Sequence, residues 1–190
     1  TLVTQKAKEI AGIVPGHELK GPILDVGGGA GSMIRQLWKS SDNRDALLFD
    51  LAETIEAAKE LYPDADSWTG IRCQAGDFRH HRFDETYGLI ILSNFLHAYG
   101  PEEAEELLSK AVSLLKPGGR LLIHDYFPDR AGVNPQKGAL YDLAMMVNTY
   151  NGACHEAGLV TEWLTRLEMP NIEIRDLDTA AIAIKAAMTG

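Results

Sequence analysis

The sequence predicts an α/β fold: a seven-stranded, mostly parallel sheet with helices on both faces and an antiparallel hairpin at the C-terminal end. Three observations predict it. Apolar runs of strand length alternate with stretches of helical period. Leu89 to Leu92 is continuously apolar, as a strand buried on both faces requires. Only Asp178-Thr179 separates the last two strand-like segments, a spacing short enough for a hairpin.

In chain order, residues 2–14 read as a leading helix, stopped near Pro15-Gly16. Residues 22–26 form a strand that runs into glycines. Residues 32–39 read as a helix, residues 46–50 as the second strand, and residues 53–62 as a helix stopped before Pro63. Residues 71–75 and 87–93 are the third and fourth strands. The next helix has apolar residues at Ala104, Leu107, Leu108, Ala111, Val112 and Leu115, one face of a 3.6-residue period. Pro101 opens it, Glu102 and Glu103 suit its positive end, and Lys116-Pro117-Gly118-Gly119 stops it. Residues 120–126 are the fifth strand. A Pro-, Gly- and Asn-rich loop follows over 127–137, then helices at 138–147 and 161–168, and strands at 172–177 and 180–186. The whole chain, 1–190, reads as one domain.

Composition excludes several functions. Of 190 residues, 45% are apolar and 24% charged, the balance of a globular chain. Eighteen Lys and Arg stand against 27 Asp and Glu, a net charge of −9 that disfavours a nucleic-acid partner. The densest basic stretch, Arg79-His80-His81-Arg82, is flanked by Asp77 and Asp84. No apolar run approaches the roughly 18 to 20 residues of a membrane span. There is no secretory leader at the start. Cys73 and Cys154 carry neither metal spacing nor a disulfide framework, and read as two thiols in a reducing cytoplasm. The chain starts at Thr1 without Met, which fits a piece of something longer.

The chemistry begins at Asp25-Val26-Gly27-Gly28-Gly29-Ala30-Gly31, between a strand and a helix. Glycines there allow a tight turn and close approach of a ligand, and the helix start offers unpaired N–H groups to an anion. No Gly-Lys-Ser/Thr follows, so a P-loop is excluded. The dinucleotide pattern G-x-G-x-x-G fails because Ser32 stands where the third glycine belongs. Asp50 ends the second strand, where a carboxylate accepts hydrogen bonds from a ribose diol. Together these features read as a nucleoside cofactor site.

The loop resembles motif I of class I S-adenosylmethionine-dependent methyltransferases, and the terminal hairpin agrees with that family's Rossmann-like sheet. Residues 115–121 are similar to its signature before strand five. Gly76-Asp77-Phe78 resembles its adenine-contacting segment. The resemblance implies S-adenosylmethionine as cofactor and S-adenosylhomocysteine as product. It implies a cofactor site of Asp25, Gly27, Gly29, Gly31, Asp50, Leu51, Asp77, Phe78 and Ser93. Asp77 would bond the adenine amino group and Phe78 would lie against the ring; Asp77 as a plain turn residue is the alternative.

Asn94 to Glu103 resembles the plant and bacterial small-molecule O-methyltransferases, which carry a catalytic His in the context L-H-x-[WY]-x-x-E. His97 matches that His. An imidazole titrating near neutrality suits the task, since a hydroxyl is a poor nucleophile until its proton leaves. Asp125 matches the family's supporting acid. Glu156 is the candidate for the second acid, with His155 as its rival. Ser93 and Ala98 replace the plant Lys and Asp, which points away from plant phenylpropanoid substrates and toward bacterial members. The acceptor is expected to be a small hydroxyl compound. Candidate lining residues are Phe127, Met145, Met146, Asn148 and Trp163; all but Asn148 suit a core equally well.

The family's N-terminal dimerisation domain is absent from these 190 residues, so a homodimer is expected if the longer protein carries one. No metal is required on this reading. A metal-dependent catechol-type enzyme would need an Asp/Asp/Asn-like set, of which Asp125 could be one member. Asp77, His80, His81 and Asp84 cluster by composition alone. A non-catalytic cofactor-binding module is the remaining alternative, and a nicotinamide dehydrogenase is disfavoured by the missing glycine.

Overall fold

The computed structural model describes residues 2–14, 21–40, 45–130, 143–144, 147, 149–177 and 182–188. The order is α1 (Leu2–Ile13), β1 (Ile23–Val26), α2 (Ser32–Ser40), β2 (Ala46–Asp50), α3 (Ala52–Leu61), β3 (Ile71–Ala75), β4 (Tyr87–Ser93), α4 (Pro101–Ser113), β5 (Leu115–Asp125), α5 (Ala157–Arg166), β6 (Asn171–Asp176) and β7 (Ile182–Ala187). Short 3₁₀ turns stand at Ala65–Trp68, Leu96–Ala98 and Pro128–Arg130. The sheet order is β3-β2-β1-β4-β5-β7-β6. Strands β1 to β5 are parallel, and β7 is antiparallel to both its neighbours. The expected seven-stranded sheet with its antiparallel terminal pair is what the chain forms.

Alternation along the strands sorts the core into two layers. Ile23, Ala46, Leu48, Leu89, Ile91 and Leu122 face α1, α2 and α3. Leu24, Val26, Leu47, Phe49, Ile90, Leu92, Leu121 and Ile123 face α4 and α5. Leu89, Ile90, Ile91 and Leu92 are all fully buried, and each contributes about 1.5–3 kcal/mol by leaving water. In α4 the apolar stripe Ala104, Leu107, Leu108, Ala111 and Val112 is the buried one, as the period required.

Two boundaries differ from expectation. Strand β5 begins at Leu115, not at 120. The Tyr87 N–H bonds Leu114 O at 2.8 Å, and the β4–β5 register then shifts between Tyr87 and Leu89. The residues between bulge outward, with Gly118 at φ 72. Helix α5 begins at Ala157, not at 161, because Asp129 caps it from a distant turn. The Asp129 carboxylate accepts the N–H groups of Ala157 at 2.7 Å and Gly158 at 3.0 Å. The helix expected at 138–147 falls mostly outside the described residues; 143, 144 and 147 are helical. The turn at Asp178-Thr179 also lies outside them.

Candidate active site

The sheet reverses direction of growth between β1 and β4, and a parallel sheet opens its ligand crevice beyond the strand ends at such a point. The glycine loop leaves β1 there. The Gly27 N–H bonds Phe49 O at 2.8 Å, stitching the loop to β2. Gly29 has φ 56, and a Cβ built on it would meet nothing within 4 Å. Open space therefore lies over Gly29. The Asp50 carboxylate stands beside it, accepting the Gly29 N–H at 2.8 Å and the Leu51 N–H at 2.7 Å. Asp25 sits beneath the loop. It is fully buried, and a Cβ on Gly28 would come within 2.6 Å of its carboxyl. Burial pushes its pKa up to about 7, with the Asp50 charge adding to the effect. Gly31 is buried too, packed near the Trp68 ring.

A cavity of about 240 Å³ opens beside the loop, where the segments after β1, β2, β3 and β4 converge. Gly27, Asp50, Leu51, Asp77 and Phe78 line it, joined by Phe49, Gly76, Arg79, Asn94, Phe95, Ala98 and Tyr99. Asp77 is bound to Arg79 through the backbone N–H at 2.9 Å and the guanidinium at 2.7 Å. That guanidinium holds the Asp77 carboxyl below the usual carboxylate range. The Phe78 ring is buried and meets Phe49 and Phe95 edge-on, so it forms wall rather than an open platform. Ser93 does not line the cavity; its hydroxyl bonds His124 Nδ1 at 2.8 Å.

His97 rides on the 3₁₀ turn Leu96–Ala98, just beyond β4. Asn94, at φ 51, breaks the strand, a left-handed conformation that asparagine tolerates better than most side chains. Asp125 ends β5, and β4 and β5 are paired through Ser93 and His124. The two side chains therefore meet. His97 Nδ1 lies 2.5 Å from Asp125 Oδ1, and both groups are buried. Asp125 Oδ1 also accepts the Tyr126 N–H at 2.8 Å, which fixes the carboxylate.

His155 packs under the same turn. Its Nε2 bonds Leu96 O at 3.1 Å, and its ring meets Trp163 at 5.3 Å. Burial pulls this imidazole below the usual histidine range. Glu156 is exposed, at the N-cap of α5. Of the acceptor-lining candidates, Phe127 and Trp163 are each 2% exposed and belong to the core beneath α5. Met145, Met146 and Asn148 lie outside the described residues. Phe95, Tyr99 and Arg79 were not assigned to the site in the sequence reading, where Arg79 stood only in the basic stretch and Phe95 and Tyr99 only in the segment around His97. Their position after the ends of β3 and β4 was the signal. Among the described residues, no three His, Cys, Asp or Glu side chains are grouped to hold a metal ion, and no helix is long and apolar enough to cross a membrane.

A profile of the O-methyltransferase domain family matches residues 17–165. The acetylserotonin O-methyltransferase of Rattus norvegicus is 28% identical over 153 residues, 80% of this chain and 35% of the relative. The 3-hydroxy-5-methyl-1-naphthoate 3-O-methyltransferase of Streptomyces sahachiroi is 28% identical over 166 residues, 86% of this chain and 47% of the relative. An O-methyltransferase family 2 protein from Planctomyces limnophilus, solved in complex with apigenin, superposes with a TM-score of 0.83 at 25% identity, covering 96% of this chain and 57% of that one. The chain thus spans about half, or less, of the length of its curated relatives. The open space over Gly29, with the Asp50 carboxylate at its rim, is compatible with a nucleoside cofactor, and S-adenosylmethionine is the family's cofactor. With the match extending over most of its length, the chain belongs to the S-adenosylmethionine-dependent O-methyltransferase family.

Proposed function

We propose that residues 1–190 form the catalytic domain of an O-methyltransferase that methylates a hydroxyl of a small aromatic acceptor, with His97 as general base and no metal in the mechanism. One observation carries the reading: the buried 2.5 Å contact between His97 Nδ1 and Asp125 Oδ1. A carboxylate only accepts, so Nδ1 carries the proton and the basic lone pair belongs to Nε2. Asp125 also stabilises the imidazolium that forms as the acceptor's proton arrives. S-adenosylmethionine supplies an electrophilic methyl on sulfur. Asp50 and the loop around Gly29 would hold its ribose and amino-acid ends, and Asp77 its adenine. The protein's own work is to bring a hydroxyl, a base and that methyl into line, and such positioning removes much of the barrier. An aromatic acceptor is supported by the relatives, which are named for acetylserotonin and a hydroxynaphthoate, and by the neighbour crystallised with apigenin. In our reading Glu156 or His155 supports this pair, and the cavity-facing Leu51 and the more distant Ser93 belong to the cofactor's surroundings.

General base catalysis contributes about 10²- to 10⁴-fold. His97→Ala should lower single-turnover methyl transfer by that order while S-adenosylhomocysteine binding stays near wild type. Asp125→Asn should cost less. The assay would use the full-length protein with N-acetylserotonin, a hydroxynaphthoate and apigenin as acceptors, below the pKa of the reacting hydroxyl. Wild-type rates in His97→Ala would refute the base assignment, and cofactor binding without transfer to any acceptor would favour a non-catalytic module. Full activity after exhaustive chelation is expected; its loss would revive the metal-dependent reading. The same proposal places the protein in the cytoplasm, with Cys73 and Cys154 not joined in a disulfide, and makes it a homodimer if a dimerisation domain precedes this one.

A further inference from the structure

The lysine in the last turn of α4 reaches the segment after β3 and, among the described residues, has no carboxylate in contact with it. Lys110 Nζ instead donates to Phe78 O at 2.5 Å and to His81 O at 2.6 Å, and it lies 3.4 Å from Arg79 O. The ammonium also sits 5.0 Å from the centre of the Phe78 ring. Three carbonyls of one turn converge on a single cation. The middle link is the peptide between Phe78 and Arg79. Its carbonyl accepts a hydrogen bond from the lysine, and its N–H, on Arg79, donates to Asp77 Oδ1 at 2.9 Å. One peptide unit is thus clamped between a cation and an anion. Each charge polarises the peptide in the sense that strengthens the bond at the other end.

We infer that Lys110 is a positioning residue for the nucleobase end of the cofactor site, acting through the Phe78–Arg79 peptide to fix the Asp77 carboxylate. Half-burial pulls the ammonium below the usual lysine range while the Asp77 charge pushes it back up, which agrees with an electrostatic link between the two. The bond from Lys110 to the turn joins residues 32 apart in sequence and ties α4 to the segment after β3. The inferred role of Lys110 is separate from those of His97 and Asp125. It rests on the reading of Asp77 as the group that accepts from the adenine amino group.

The test is calorimetric and needs no acceptor. Wild-type protein, Lys110→Met and Asp77→Ala are titrated with S-adenosylhomocysteine and with its analogue carrying hydrogen in place of the purine 6-amino group. Wild type should prefer S-adenosylhomocysteine by roughly tenfold, the scale of one hydrogen bond to a charged group. Lys110→Met should bring that preference close to one, mainly by weakening S-adenosylhomocysteine. A merely structural lysine would weaken both ligands equally and leave the ratio intact, which overturns the inference. If Asp77→Ala keeps the ratio, the Asp77 reading falls and this inference with it. If Asp77→Ala loses the ratio and Lys110→Met keeps it, only the role of Lys110 falls. Should the methionine variant not fold, Lys110→Gln removes the charge, keeps an amide donor and reads the same ratio.

Discussion

Asp25, in β1, and Asp50, at the end of β2, flank the same glycine loop and have opposite electrostatic situations. Asp50 accepts two backbone N–H bonds at the cavity rim, whereas Asp25 is sealed beneath. Burial lifts Asp25 from its ordinary 3.8 to about 7. Between those values the native state holds a proton that the unfolded chain has released. Stability from this group is therefore full below the unfolded pKa, falls as pH rises through the window, and is flat above it. Asp25→Asn mimics the protonated form, so it should be more stable than wild type at pH 8, with the gap closing toward pH 4. Urea melts across that range would show it; a pH-independent gap would contradict the assignment. At the rim, Asp50→Ala should weaken S-adenosylhomocysteine by about 1.5–3 kcal/mol, as lost charge-assisted hydrogen bonds do. Gly29→Val should weaken it further, because the side chain would enter the open space above the loop at a φ of 56. Calorimetry on both variants checks the order.

At the level of elements, the turn that carries His97 is held from below. A Cβ on Gly152 would approach His97 O to 2.5 Å, and His155 bonds the neighbouring Leu96 carbonyl. If His97 is the base we propose, Gly152→Ala should displace it, lowering transfer rate more than cofactor affinity; equal losses in both would argue for general unfolding. Asp129→Ala removes the remote cap of α5 and should cost about 0.5–2 kcal/mol in a denaturant melt. These two supports explain what the sequence concealed. The strand periods, the α4 stripe, the glycine loop and Asp50 were legible because each is a local pattern, whereas His97 and Asp125 were picked out through the resemblance to the O-methyltransferases. The cap from Asp129 to Ala157, the pairing of Tyr87 with Leu115, and the grip of Lys110 on Phe78 join residues 28 or more positions apart. No window of sequence contains both partners, so periodicity and turn chemistry could not reveal them. Glu156 illustrates the same limit. Its neighbour His155 is buried against the Leu96–Ala98 turn and it is exposed, a difference decided by where α5 begins.

For the whole molecule, sheet order decides what can be lost. β7 lies inside the sheet, between β5 and β6, although β6 precedes it in the chain. Asp125 is paired with Ile182, so the strand that carries Asp125 is flanked by the strand of the sheet that is synthesised after all the others. During translation, β1 to β5 and their helices emerge first and leave β5 as an open edge, a template for pairing with another chain. β6 has no place to bind until β7 arrives between them. A nascent chain stopped after residue 177 should accordingly bind chaperone or aggregate rather than settle into a trimmed fold. It should also fail to retain S-adenosylhomocysteine, although every residue of the cavity has been made. Arrest of translation at successive lengths, read by protease resistance, would locate that threshold at the emergence of residues 182–188. The order of synthesis thus keeps the sheet incomplete until β7, the strand that joins β5 to β6, has emerged.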